Sequence, residues 1–119
     1  MDSAYEKGMA GETKAVTFLR SRGYRILARN YRHRRAEIDI LALRGNCLAV
    51  VEVKTRSDGW YESLSDSISR AKIRRLVMAA DHFVRYRRLR VSVRFDVIQV
   101  YGRSGDYRIV HIENAFSHF

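Results

Sequence analysis

Length and composition exclude several classes of protein before any motif is considered. The chain has 119 residues, 46% of them hydrophobic, which predicts one globular domain spanning residues 1–119. No apolar run approaches the ~18–20 residues of a membrane-spanning helix, and the first residues lack the features of a signal peptide, so no membrane partner is expected. The lone Cys47 excludes an internal disulfide and a multi-cysteine zinc site. A cytoplasmic location is therefore expected.

The net charge is strongly positive and comes mainly from arginine. Lys and Arg total 23 against 13 acidic residues, which gives a net charge of +10, and 19 of the 23 cations are Arg. The planar guanidinium group binds phosphate through two hydrogen bonds and also stacks on bases. The charge therefore favours a nucleic-acid partner. The simpler alternative is a soluble protein with an arginine-rich surface.

The first predicted element is a helix from about Ser3 to Arg22, closed by Gly23 as its C-terminal cap. Glu12 falls on the apolar stripe of this helix. The other members of the stripe are Tyr5, Met9, Val16 and Leu19. A carboxylate that faces a core needs a partner, because burial of an unpaired charge is costly. Glu12 is therefore either part of a functional site or the ion-pair partner of a neighbouring Arg.

Three strands in a meander are predicted next, over Tyr24–Tyr31, Ala36–Leu43 and Cys47–Thr55. The basic run Arg32-His33-Arg34-Arg35 is predicted to join the first two strands. Gly45-Asn46 lies between the second and the third, and this pair of residues is typical of a two-residue hairpin turn.

A long amphipathic helix and two further strands complete the predicted domain. The helix runs to about Arg88, and its N-cap candidates are Ser65, Asp66 and Ser67. Its apolar face consists of Ile73, Leu76, Val77, Ala80, Phe83 and Val84. The strands Val91–Tyr101 and Tyr107–Ile112 follow. The order α-β-β-β-α-β-β predicts an α/β domain with a mixed central sheet flanked by helices.

The turn of the central hairpin fixes the position of its acidic residues. With a two-residue turn at 45–46, the residue numbers of paired positions sum to 91. Asp39 then lies opposite Glu52, and Glu37 lies opposite Lys54. Opposed residues have Cβ atoms about 4.5–5.5 Å apart, so the first pair brings together two carboxylates that repel each other. Because the surrounding strand residues are apolar, this repulsion needs compensation.

A divalent cation would supply that compensation. Mg²⁺ and Mn²⁺ take oxygen ligands, and Mg²⁺ is usually held by one or two carboxylates together with water and phosphate. Lys54 follows Glu52 by two residues and projects from the same face. A metal can polarise a phosphoryl oxygen and activate water, a neighbouring Lys can stabilise developing charge, and Glu12 could add a ligand or a base. The alternative is a surface charge ladder in which Asp39 and Glu52 are each held by an Arg.

These residues resemble a known nuclease motif. Asp39, twelve intervening residues and Glu52-Val53-Lys54 resemble the PD-(D/E)XK motif of restriction-endonuclease-like proteins, whose core has a similar order of elements. More specifically, the chain resembles the YraN family of small, largely uncharacterised bacterial proteins. The segments that carry this resemblance are Gly11-Glu12, Asn30-Tyr31-Arg32, Glu37-Ile38-Asp39, Val51-Glu52-Val53-Lys54-Thr55-Arg56, Lys72, Arg94-Phe95-Asp96 and Asn114-Ala115-Phe116.

The resemblance implies a restriction-endonuclease-like fold and a role for each acid. Asp39 and Glu52 would be metal ligands, and Lys54 would be the catalytic lysine. Glu12 matches the helix carboxylate of the archaeal Holliday-junction resolvases, which makes it a third candidate ligand. Glu37 would support these residues or be a further acid. Because those resolvases act as dimers, a homodimer is also implied.

Several basic residues are candidates for phosphate contact. They are Arg32, Arg34, Arg35, Arg56, Lys72 and Arg75. The three at the first hairpin tip could follow a nucleic-acid backbone, and the resemblance implies that the two on the second helix face phosphate. A solvated charged surface is the alternative for the hairpin tip and for Arg56. Asp96 is interpreted as the structural partner of an Arg, and Trp60 and Tyr61 either stack on bases or cover the core edge.

Three functions follow from these patterns. The leading hypothesis is a Mg²⁺- or Mn²⁺-dependent nuclease acting on DNA, including branched or damaged DNA. The second is a non-catalytic nucleic-acid-binding protein on a nuclease scaffold. The third is a protein-interaction module whose basic surface binds an acidic partner. The complete set of Asp39, Glu52 and Lys54 favours the first over the second, and the arginine excess favours both over the third.

Overall fold

In the part of the chain that the structure describes, a five-stranded mixed sheet forms the centre, with one helix packed on each face. The computed structural model describes residues 4–56, 68–103 and 105–116. In chain order the elements are α1 (Ala4–Ser21), β1 (Arg25–His33), β2 (Ala36–Arg44), β3 (Cys47–Arg56), α2 (Arg70–Tyr86), β4 (Ser92–Arg103) and β5 (Asp106–Ile112). The predicted order and the α/β class are confirmed, and the architecture is consistent with a restriction-endonuclease-like fold.

The strands lie side by side in chain order. The first three form the predicted antiparallel meander, β3 and β4 are parallel, and β5 returns antiparallel to β4. A parallel pair needs a crossover connection, because its two strands run in the same direction. The segment between β3 and β4 contains α2, so this helix crosses one face of the sheet.

Each helix buries an apolar stripe against its own face of the sheet. The α1 stripe consists of Ala15, Val16 and Leu19, and the α2 stripe of Leu76, Ala79, Ala80 and Phe83. Burial of these side chains holds both helices on the sheet, since a buried Leu or Phe contributes roughly 1.5–3 kcal/mol. Within the described residues, neither helix is long and apolar enough to cross a bilayer.

Hydrogen bonds cap the C-terminal end of α1 and the N-terminal end of α2. α1 ends at Ser21 and is closed, as predicted, by Gly23, whose φ of +87° lets its N–H donate to the Arg20 carbonyl at 3.1 Å while the next N–H donates to the Leu19 carbonyl. The N-cap of α2 is Ser69, whose hydroxyl accepts the Lys72 N–H at 3.1 Å. The predicted choice of caps was therefore wrong. The residues named for it, Ser65, Asp66 and Ser67, lie outside the described residues, as do Trp60 and Tyr61.

The connection between β1 and β2 is shorter than predicted. Arg32 and His33 are the last residues of β1, and only Arg34 and Arg35 form the turn. The prediction of a four-residue basic loop was wrong because the ladder continues to the pair His33 and Ala36. The tip of this hairpin is therefore a tight basic turn.

Gly11 is the point at which α1 comes closest to β3. A Cβ atom at this position would collide with Thr55 Oγ1 and would lie 3.2 Å from Thr55 Cβ and Cγ2. Since the next residue is Glu12, this close approach also places the Glu12 carboxylate over the sheet. At Gly8, by contrast, an added Cβ would meet nothing within 4 Å.

These two glycines provide a matched test of the helix position. Gly11→Ala should lower the free energy of unfolding by about 1–3 kcal/mol, because the methyl group overpacks the contact with Thr55. Gly8→Ala should raise it by about 0.5–1 kcal/mol, because Ala is the better helix former. Urea denaturation of both variants measures the difference. Equal effects of the two substitutions would contradict the close approach.

Candidate functional site

The candidate site lies where β2 and β3 stop pairing. The predicted register is confirmed over five consecutive pairs, from Arg44 with Cys47 to Ile40 with Val51. In that register Asp39 and Glu52 would form the next pair, but the ladder ends before them. The acids therefore lie at the fork between the two strands.

β2 is irregular at Asp39, and this irregularity shapes the fork. Ile38 packs in the core on the α2 side and Ile40 in the core on the α1 side, although alternate residues of a regular strand share a face. In β1, the residue that would pair with Asp39 is Asn30, which has a φ of +53° and is absent from the ladder. The alternation of side chains is thus interrupted in both strands at the same level.

The Asp39 carboxylate is partly buried and surrounded by other charges. Its Oδ2 atom accepts the Val53 N–H at 2.8 Å. Burial and the negative charges of Glu52 and Glu12 raise the pKa of Asp39 to about 7, against the lowering effects of the Val53 N–H and Lys72. The carboxylate of Asp39 is therefore poised to lose its proton near neutral pH.

Glu52 is buried and held by two lysines. Lys72 Nζ lies 2.8 Å from Glu52 Oε1, and Lys54 Nζ lies 3.9 Å from the same atom. The family resemblance implied that Lys72 faces phosphate, and the contact of Lys72 with Glu52 was not predicted. A signal for this contact exists, because Lys72 precedes the buried Leu76 by four residues and so falls on the core stripe of α2.

Glu12 is buried in α1 and has two partners from β1. The Arg29 Nε and Asn30 Nδ2 atoms donate to its Oε1 at 3.1 and 3.0 Å. The ion pair with an Arg, one of the two predicted alternatives, is therefore present. The charge of Glu12 also acts on Asp39, whose pKa it raises. The role of Glu12 in a functional site stays a prediction.

An open groove of about 520 Å³ lies between α1 and the fork and borders Asp39 and Glu12, and Glu52 is not among the residues that line it. Four candidate residues line it, namely Glu12, Glu37, Asp39 and Lys54, together with Arg56 at the end of β3. Glu37 forms an exposed ion pair with Arg32 at 3.2 Å and does not form a ladder pair with Lys54. The groove therefore presents oxygen atoms and cationic groups to a ligand approaching from solvent.

The donor set suits a cation that needs few protein ligands. Within residues 4–56, 68–103 and 105–116, no three His, Cys, Asp or Glu side chains form a group that could hold a metal ion. Asp39 and Glu52 remain as two neighbouring carboxylates, and Mg²⁺ is usually bound through one or two carboxylates plus water and phosphate. Burial and the negative charges of Glu52 and Glu12 raise the pKa of Asp39, and a divalent ion would neutralise those charges. The two carboxylates therefore fit Mg²⁺ or Mn²⁺.

The predicted basic residues occupy three separate places. Lys72 lies at Glu52, and Arg56 lies at the groove. The others lie at or near the β1–β2 tip, where Arg34, Arg35 and Arg75 line a second hollow. The six residues therefore fall into three groups, and their contact with phosphate stays a prediction.

A buried cluster around Asp96 lies apart from these sites. Arg94 donates to both carboxylate oxygens at 2.9 and 2.8 Å, as the interpretation of Asp96 as an Arg partner requires. His111 and the Asn114 N–H add contacts at 2.8 and 3.0 Å, which the sequence did not reveal. These hydrogen bonds lower the pKa of Asp96 although burial acts to raise it. The cluster fixes the C-terminal turn, and Phe116 packs on Phe95.

Comparisons with known proteins connect the chain to one family. The model of the "Uncharacterised protein family UPF0102" matches residues 11–100. A UPF0102 protein of Bacteroides thetaiotaomicron is 44% identical over 93% of this chain and 92% of its own. UPF0102 proteins of Christiangramia forsetii and Flavobacterium psychrophilum are 43% and 44% identical, over 96% and 94% of each chain. These descriptions state no activity, ligand or partner.

Charge repulsion at Asp39 has a measurable effect on stability. The pKa of Asp39 in the folded chain lies above its ordinary value of 3.8, so stability is lost as pH rises through about 7. In metal-free buffer at about pH 8, Asp39→Asn should therefore raise the free energy of unfolding by about 1–2 kcal/mol. This value is smaller than the full pKa shift implies, because solvent screens the charges at a partly exposed site. The gain should shrink toward pH 5 in urea denaturation. A variant that is no more stable than wild type at about pH 8 would contradict the repulsion, and Asp106→Asn on an exposed turn is the control.

Proposed function

The chain belongs to the uncharacterised protein family UPF0102, and from its site we propose that it is a divalent-metal-dependent nuclease that hydrolyses phosphodiester bonds of DNA. UPF0102 is the YraN family that the sequence resembles. Because fold and family assign no reaction, the proposal depends on the site alone. It rests on one observation, the position of Asp39 and Glu52 at the fork of β2 and β3 with Lys54 Nζ 3.9 Å from Glu52.

Asp39 and Glu52 would hold Mg²⁺ or Mn²⁺ in this proposal. A bound ion of this kind polarises a phosphoryl oxygen and lowers the pKa of its water. Asp39 binds a cation in its ionised form, and its pKa of about 7 means that the ionised form prevails only above neutral pH. The Val53 N–H fixes the direction of this carboxylate through the 2.8 Å hydrogen bond to Oδ2.

The lysines and Glu12 have separate roles in the proposal. Lys54 lines the groove, so its ammonium group can meet the scissile phosphate and stabilise the negative charge that develops there. Lys72 is hydrogen-bonded to Glu52 and acts as a positioning residue for that carboxylate. Glu12, held by Arg29 and Asn30, faces the same groove and would accept a proton from water.

DNA is the preferred substrate on the basis of charge and resemblance. A net charge of +10 supports attraction to a polyanion, and Arg56 lies beside the carboxylates at the groove. A second candidate function is non-catalytic nucleic-acid binding on the same scaffold. Its support is that the protein's own cations already neutralise Glu12 and Glu52, through Arg29 and Lys72 respectively.

Cleavage assays distinguish the two functions. Wild type should cut DNA with Mg²⁺ or Mn²⁺, and Asp39→Asn and Glu52→Gln should each lower the rate about 100-fold or more while DNA binding persists. The reason is that each substitution removes a charged oxygen ligand and changes the size of the side chain little. Asp106→Asn, which alters an exposed acid on the edge strand β5, should cut like wild type.

The substrate panel should include duplex, single-stranded, flapped and four-way branched DNA, and RNA. If wild type cuts none of these with either ion but still binds them, the nuclease proposal fails and the binding function replaces it. If cleavage persists in both carboxylate variants, Asp39 and Glu52 are not the site.

A further inference from the structure

A row of aromatic rings lies on the surface formed by the β1–β2 tip and α2, and two of them, His82 and Tyr86, are exposed. The His33 and His82 rings stack with centroids 4.0 Å apart and planes 19° apart. The Tyr86 ring is also nearly parallel to His82, at 6.1 Å and 17°. The Tyr31 hydroxyl and His82 Nδ1 are hydrogen-bonded at 2.6 Å, which fixes the ring of His82. Tyr86 is 78% exposed, so its ring is available to a ligand.

Arginines surround these rings. We call the whole region the tip surface; it comprises His33, Arg34, Arg35, Arg75, Met78, Asp81, His82, Arg85 and Tyr86, and encloses adjoining hollows of about 260 and 470 Å³. Arg85 pairs with Asp81 at 3.1 Å. Within the described chain, no carboxylate is in salt-bridge contact with the other three arginines. The tip surface therefore carries positive charge beside its stacked rings.

Arg34 is the first residue of the two-residue turn between β1 and β2. It has a φ of +57°, a conformation that favours Gly or Asn in such a turn. Arg34 also lines both hollows of the tip surface. The turn therefore places an arginine beside both hollows.

The tip surface begins beside the candidate active site. Lys72 contacts Glu52, and Arg75 follows on α2 one turn later. At a rise of 1.5 Å per residue, Arg75 and His82 lie about 4.5 and 15 Å from Lys72 along the helix axis. A strand lying on the tip surface would therefore lead toward the carboxylates.

We propose that the tip surface binds unpaired nucleotides, with bases stacked on His82 and Tyr86 and phosphates on Arg34, Arg35 and Arg75. Duplex DNA presents phosphates but keeps the faces of its bases stacked inside, so it would use the arginines and not the rings. Unpaired nucleotides use both, because every base has a face that can stack on an aromatic ring. An acidic peptide would likewise use only the arginines. The continuation of the bound strand to Asp39 and Glu52 rests on the proposed nuclease function. Binding to the tip surface does not depend on that function.

Fluorescence anisotropy in EDTA, where no metal-dependent cleavage occurs, tests the inference. The probes are a labelled single-stranded oligonucleotide and a blunt duplex of the same sequence. Tyr86→Ala should weaken single-strand binding roughly tenfold, since one base loses its stacking partner, and should change duplex binding by less than about twofold. Tyr86→Phe should retain single-strand binding because it keeps the ring. The matched control is Tyr107→Ala, which removes an exposed tyrosine from β5 at the opposite edge of the sheet.

Three results would overturn the inference. The first is unchanged single-strand binding in Tyr86→Ala and in the double variant with His82→Ala, each shown to be folded by circular dichroism. The second is an equal loss of single-strand and duplex binding, which would indicate a basic patch alone. The third is displacement of the oligonucleotide by polyglutamate as effectively as by unlabelled single strand, which would indicate an acidic protein partner. Because the assay contains no metal, its outcome is independent of whether the chain cleaves DNA.

Discussion

The partly buried negative charge at the fork between β2 and β3 is the central constraint on the structure. Asp39, Glu52 and Glu12 act on one another there, and burial together with their repulsion raises the pKa of Asp39. The protein offsets this cost with its own cations, Lys72 on Glu52 and Arg29 on Glu12. A carboxylate group maintained at such a cost is typical of functional sites.

The two helices supply the charges that surround the fork from opposite faces of the sheet. α1 carries Glu12 and is drawn close to β3 at Gly11, while α2 carries Lys72 and reaches Glu52. Because the side chains of β2 do not alternate regularly at Asp39, the Asp39 carboxylate can accept the Val53 N–H. The same carboxylate lies beside the groove. The apolar stripes of the helices therefore determine the geometry of a polar site.

The local features of the fold were predictable because short-range rules govern them. The two-residue turn at 45–46 sets the register that leads to Asp39 and Glu52, and helical periodicity places the core of α2. The end of the ladder before Asp39 and the contact of Lys72 with Glu52 were missed. Both depend on how distant segments pack, as does the stack of His33 on His82, which joins residues 49 positions apart in the chain. No local periodicity contains that information.

Calorimetric titration with Mn²⁺ at about pH 8 tests most directly whether the two carboxylates form a cation site. We expect wild type and Asp106→Asn to bind one ion, and Asp39→Asn and Glu52→Gln to bind it more than about tenfold more weakly, since each loses a charged oxygen ligand. Wild type that shows no binding, or the same affinity in all four proteins, would contradict a metal site at the fork of β2 and β3.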